Sequence, residues 1–203
     1  HLNHYYLINP DLKKYHICSL KKKPKKKLVK KNKLKIIKSK NLNFIINKKE
    51  LLYYQKKYFK DMNYFLSKFS KNPFYHYCYF IIKKENKNLG FFVARECFYK
   101  KSKVLRFVDY FGDVNCLKKI EYELQKIVIN YKYEYIDFYN YGINKKILFL
   151  SGFKLSKGNQ DIIPNFFEPF EKQNIEINFA FWPKKVNLMI FKGDCDQERP
   201  SII

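Results

Sequence analysis

The sequence predicts an α/β (α+β) fold with a mixed central sheet of about seven strands and helices on both faces. Three observations carry that prediction. Residues 89–98 (LGFFVARECF) and 104–113 (VLRFVDYFGD) are Phe- and Val-rich runs separated by the polar Tyr99-Lys100-Lys101-Ser102, and they read as a β-hairpin. Val114, Leu117, Ile120, Leu124, Ile127, Val128 and Tyr131 then recur at spacings of three and four, the apolar face of a helix running to about Lys132. Residues 134–142 (EYIDFYNYG) form a strand bounded by Gly142, and residues 143–151 a short helix closed by Gly152. Strand, helix and parallel strand make a crossover, and a crossover requires a sheet covered by helices.

The other elements follow in chain order. Residues 1–20 carry a mild apolar pattern expected of the end of an upstream unit, and the chain starts at His1 rather than Met, which suggests a fragment. Residues 21–31 (KKKPKKKLVKK) are a charge run broken by Pro24 and read as a solvated linker. Residues 34–37 give a first strand. Residues 47–70 show helical spacing of Leu, Tyr and Phe, in one or two helices, and Asn72-Pro73 ends them. Residues 74–83 (FYHYCYFIIK) read as a strand. After Phe153, residues 175–182 (IEINFAFW) alternate with Ile175, Ile177, Phe179 and Phe181 on one face, and 186–191 (VNLMIF) form a last strand. The division expected is a basic segment 1–32, a domain 33–192 and a polar tail 193–203.

The formal charge is +24, from 42 basic and 18 acidic residues. Charge of that size ordinarily points to nucleic acid or an anionic membrane. Twelve lysines fall within residues 21–40, however, and only three of the basic residues are Arg, the side chain that grips phosphate and guanine bidentately. Lys, Asn, Ile, Tyr and Phe are inflated together, as an AT-rich coding sequence would produce. Nucleic acid is therefore not the expected partner. No apolar run approaches the roughly 20 residues of a membrane span. The five cysteines show no metal-ligand spacing and read as buried reduced thiols, which predicts a cytoplasmic location and no metal.

The order strand, helices, three antiparallel strands, long helix, strand, short helix and final strands resembles the GNAT acyltransferase fold over about residues 33–192. Ser151-Gly152-Phe153 is similar to the Gly-Phe step that often follows the last helix of that family. RFVDYFGD, YIDFYNYG, SGF and GDCDQERP also resemble GNAT-like proteins encoded among bacterial surface-polysaccharide genes. The resemblance implies acyl transfer from acetyl-CoA or another acyl-CoA to an amine, such as an amino sugar or nucleotide sugar. Pantetheine would lie between the diverging strands at 104–111 and 134–140, with the diphosphate on Phe111, Gly112, Asp113, Val114 and Asn115. The family's phosphate loop is Gln/Arg-x-x-Gly-x-Gly/Ala, and only Gly112 matches; Asp113 puts a carboxylate where phosphate belongs and is equally an N-cap. The short helix also lacks the family's frequent Tyr, for which Tyr139 and Tyr141 are the nearest phenols.

Two carboxylates interrupt runs that are otherwise almost all apolar, Asp109 and Asp137, so each needs a partner or a cleft. They are the candidate bases, with Tyr139 as the candidate acid, or else each bonds a backbone turn or pairs with Arg95 or Arg106. Arg95, Glu96, Arg106 and Tyr141 are the candidate substrate contacts. With a four-residue turn Arg95 falls opposite Arg106, a repulsion that an anion such as a nucleotide-sugar phosphate, or a carboxylate, has to relieve. Two functions are therefore expected as alternatives: a GNAT-fold N-acyltransferase, or a non-catalytic module of the same fold with a degenerate coenzyme loop that binds a glycan precursor or a partner domain.

Overall fold

The structure, a computed structural model, describes residues 1–42, 48–158, 161–181 and 188–195. The chain runs β1 (Asn3–Ile8), β2 (Leu34–Ser39), α1 (Lys48–Tyr58), α2 (Met62–Phe65), β3 (Tyr77–Lys84), β4 (Lys87–Tyr99), β5 (Ser102–Gly112), α3 (Glu121–Asn130), β6 (Tyr135–Tyr141), α4 (Lys145–Leu150) and β7 (Lys154–Leu155). The short strands β8 (Phe166–Phe167), β9 (Phe170–Glu171) and β10 (Ile190–Phe191) follow. The main sheet is ordered β2-β3-β4-β5-β6-β1-β7, with β10 paired to β6. Among the described residues only β5 and β6 are parallel within it, as the crossover predicts.

One face of the sheet packs on α3, α4 and the 3-10 turn Val114–Lys119, burying Phe92, Phe107, Phe138, Leu117, Leu124 and Leu148 completely. Phe92 stacks on Phe107 at 4.2 Å and meets Phe138 edge-on at 5.5 Å, so burial and ring geometry act together. The opposite face is split. Tyr58, Phe65 and Phe69 of the α1–α2 region cover Tyr79, Phe91, Val93, Val108 and Phe111. Ile17, Cys18 and Ile163 cover Tyr6, Cys97, Val104 and Tyr135.

The long helix predicted from residue 114 is interrupted. A 3-10 turn ends at Lys119, Ile120 leaves helical geometry at ψ 0°, and α3 begins at Glu121. The carbonyls at the break gain outside donors: Ser151 Oγ donates to Leu117 O at 2.7 Å, and the Asn32 side chain donates to Lys119 O.

Residues assigned by sequence to the flanks lie inside the sheet. β1 pairs along its whole length with β6, from Asn3 opposite Asn140 to Ile8 opposite Tyr135, on the side of β6 away from β5. Glu134, nearly fully buried, accepts the backbone N–H groups of His16, Ile17 and Cys18 and ties the next segment down. Residues 175–181 keep the predicted alternation, with Ile177 buried and Glu176 and Asn178 exposed, but they form no strand. Their neighbours 182–187, and residues 196–203 of the predicted tail, lie outside the described residues. Among the described residues no helix is long and apolar enough to cross a membrane.

Candidate functional site

The parallel pair β5–β6 is in register only from Leu105/Ile136 to Phe107/Phe138, although β5 runs on to Gly112 and β6 to Tyr141. The strands therefore diverge where the sequence predicts a gap. The chain's own C-terminal segment fills it. β1 occupies the far edge of β6, so β10, which pairs Ile190 with Tyr141 and Phe191 with Asn140, sits on the β5 side. Phe191 is fully buried and stacks on Phe138 at 5.6 Å. Two glycines allow this approach: a Cβ on Gly142 (φ +93°) would come 2.1 Å from Leu188 O, and one on Gly193 2.9 Å from Val108 O.

A buried charge cluster holds the segment. Lys60 Nζ donates to both Asp109 oxygens at 2.8 Å and to the Asp194 carboxylate at 2.8 Å. Tyr64 Oη donates to Asp194 at 2.8 Å and lies 3.1 Å from Asp109, and Asp194 accepts the N–H of Phe191 at 2.9 Å. Burial, partly opposed by Lys60 and reinforced by Asp194, pushes the Asp109 carboxyl up to about 6. A β-bulge aims Asp109 here: the β4–β5 register jumps between Val93/Asp109 and Ala94/Phe107, leaving Val108 unmatched and turning Asp109 toward α1–α2. Simple alternation from Phe107 would have sent it to the opposite face. Lys60 arrives because Phe59, at φ +54°, breaks the chain away from α1.

At the predicted diphosphate turn the N–H groups of Asp113, Asn115 and Cys116 are taken up internally. Asp113 Oδ1 accepts the N–H of Asn115 at 2.9 Å, Asp113 N donates to Leu89 O, and Cys116 N donates to Asp113 O. Gly112 (φ +132°) lies against Gly90, and its carbonyl accepts Tyr58 Oη at 2.6 Å. Phe111 belongs to the aromatic core beneath α1, and Val114 packs against the α3-side core.

Asp137 is fully buried and paired with Arg106, whose Nη2 lies at 2.9 Å and Nε at 3.2 Å; Arg106 Nη1 donates to Asn165 O at 2.8 Å. Burial alone would raise the Asp137 carboxyl, but Arg106 and then His4 outweigh it and hold the group at about 2. His4, across the strand pair from Tyr139, stacks on its ring at 3.9 Å. Its Nε2 is 3.5 Å from Asp137 without an aligned hydrogen bond, and burial lowers its basicity against the pull of that carboxylate. Burial also pushes the Tyr139 phenol far above its ordinary range, and it donates weakly to Ile175 O at 3.3 Å. Tyr141 is exposed and touches Phe179 and Phe181, away from this pair.

Arg95 lies directly opposite Arg106, as the hairpin spacing predicts, but serves a different place. It is nine-tenths buried at the floor of a cleft of about 900 Å³ bordered by Lys38, Lys40, Phe74, Tyr75, Phe98 and Glu168. The guanidinium stacks 3.8 Å from the Tyr75 ring and stands 3.7 Å from the half-exposed Glu168 carboxylate. Glu96 also borders the cleft, paired with Lys38 at 3.0 Å and bonded by Tyr133 Oη. No local pattern points to Lys60, His4 or Glu168; the need of each strand carboxylate for a buried partner was the one signal available.

No family model and no curated protein sequence matches this chain. The class rests on the fold: a mixed α/β protein whose mixed sheet is broadly compatible with the GNAT acyltransferase fold. Among the described residues no group of three His, Cys, Asp or Glu side chains could hold a metal.

Proposed function

We propose that this chain is a non-catalytic binding module on a GNAT-like fold, recognising a glycan precursor rather than transferring an acyl group. One observation carries the reading: Phe191 and the turn after it occupy the β5–β6 gap that an acyl-CoA arm would need. The spent N–H groups around Asp113 support it, since a diphosphate needs free donors at a helix start. The two strand carboxylates are already matched to Lys60 and Arg106, which suits a structural role better than that of a base. Five cysteines without a disulfide, four of them buried, fit a reducing, cytoplasmic setting. Calorimetric titration with acetyl-CoA, paired with a thiol-release assay on amino sugars, tests the reading. It expects no turnover and no saturable heat that depends on Gly112; either one overturns it.

The transferase reading draws support from the divergence of β5 and β6 beyond Phe107 and Phe138. It needs residues 188–195 to withdraw, which would expose Phe191 and strip Lys60 of Asp194. An N-acyltransferase of surface-polysaccharide amino sugars would then be recovered by thiol release that depends on Gly112.

A further inference from the structure

We infer that the Arg95 cleft is the recognition site and that its ligand is a nucleoside diphosphate, free or joined to a sugar. The inference rests on the binding-module reading and names the ligand class. The cleft combines two chemistries that one such molecule matches. At its floor is Arg95, 7 % exposed, with its plane held against Tyr75; at its side is the exposed Lys40. A guanidinium held in place by stacking sets a fixed cationic charge at the floor that favours phosphate, and a lysine adds a second charge. At the rim Phe74 and Phe98 are 56 % and 61 % exposed, and both border the cleft. Water-facing rings beside a cationic floor suit a flat base or the apolar face of a sugar, while the diphosphate reaches inward.

The local structure presets this arrangement. Asn72 Oδ1 accepts the N–H groups of Phe74 and Tyr75, fixing the turn that carries both rings. Glu96 is held by Lys38 and Tyr133, so its charge is already answered. Glu168, which accepts Tyr75 Oη, is 54 % exposed and lies at a long 3.7 Å from Arg95, so it can be displaced by an incoming phosphate. The volume of about 900 Å³ falls within the range of small-molecule sites.

The test is calorimetry on the whole protein at 0.15 M salt, a condition of about 8 Å screening length that suppresses loose phosphate contacts. The probes are uridine, guanosine and adenosine diphosphates, UDP-N-acetylglucosamine and inorganic pyrophosphate. Saturable binding of at least one nucleotide is expected, with pyrophosphate at least about tenfold weaker because it lacks a ring to stack. Phe98→Ala, at an exposed position that leaves folding intact, should weaken binding at least about fivefold. Glu168→Gln should tighten it about two- to fivefold by removing a competing carboxylate. Arg95→Gln, checked for folding by circular dichroism, should abolish it. No saturable nucleotide binding, or binding indifferent to Phe98→Ala and Glu168→Gln, overturns the inference. That failure is distinct from failure of the module reading, which falls only if acetyl-CoA is turned over or binds in a way that depends on Gly112; coenzyme binding lost in Phe98→Ala would instead be the Arg95 cleft reading its adenosine diphosphate part.

Discussion

Replacing Lys60 with Met probes the cluster that holds the C-terminal segment. Lys60 is 5 % exposed and Asp109 fully buried, and the carboxyl of Asp109 is raised to about 6 even beside the ammonium. The folded state therefore holds more protons than the unfolded one between about pH 4 and 6, and wild-type stability falls as pH rises through that window, then levels. In Lys60→Met only the Tyr110 N–H and Tyr64 Oη remain to oppose the burial of the charge, so Asp109 stays protonated to higher pH and stability keeps falling. At pH 5 Asp109 is protonated in both proteins, and the variant loses on the order of 1 kcal/mol, mainly the bond to Asp194. At pH 8, two units above the wild-type titration, the loss grows by about 3 kcal/mol at about 1.4 kcal/mol per unit. Urea unfolding of both proteins at pH 5 and pH 8 measures the two gaps. Equal gaps would refute the coupling, as would a pH-dependent gap that survives adding Asp109→Asn to both proteins.

Further expectations concern the rest of the frame. Asp137, lowered to about 2 in the fold, contributes stability above pH 4 that is lost as pH falls toward 2; Asp137→Asn should flatten that acid limb of the unfolding free energy from urea titration by on the order of 2 kcal/mol. Arg106→Met leaves Asp137 buried without its main cation and should cost about 3–5 kcal/mol in urea unfolding at pH 7. Gly142→Val meets Leu188 O at a backbone angle valine rarely adopts, so amide exchange at Phe191 should rise at least about tenfold with little change at Phe138. Burial pushes the thiols of Cys78 and Cys116 up to about 11 and about 12, whereas Cys195 is partly exposed. Among the cysteines, Cys195 should therefore be labelled first by a thiol reagent in the native protein, and fast labelling of Cys116 would contradict its placement.

Much of the sheet was legible because its strands are local and patterned. The 89–113 hairpin, the parallel partner at 135–141 and the opposition of Arg95 and Arg106 all follow from turn length and period-two alternation. What stayed hidden depends on pairing distant in sequence. Asn3–Ile8 is a six-residue run ahead of a lysine-rich linker, and nothing local says that its partner lies more than a hundred residues on. The bulge at Val108 turns Asp109 to a face that alternation denies it, so its partner Lys60 could not be read from spacing. The gap was readable as a divergence of two strands, but its occupant was not, because residues 188–195 look like an ordinary final strand and polar tail until Gly142 and Gly193 are seen to admit them.

The most direct measurement is the nuclear Overhauser contact between the Phe191 and Phe138 rings, 5.6 Å apart by centroid, recorded with and without millimolar acetyl-CoA. A chain that fills its own gap predicts a strong contact in both spectra, with no shift of the Gly112 or Asp113 amides. Loss of the contact on adding the coenzyme, with those amides moving in a saturable way, would contradict it.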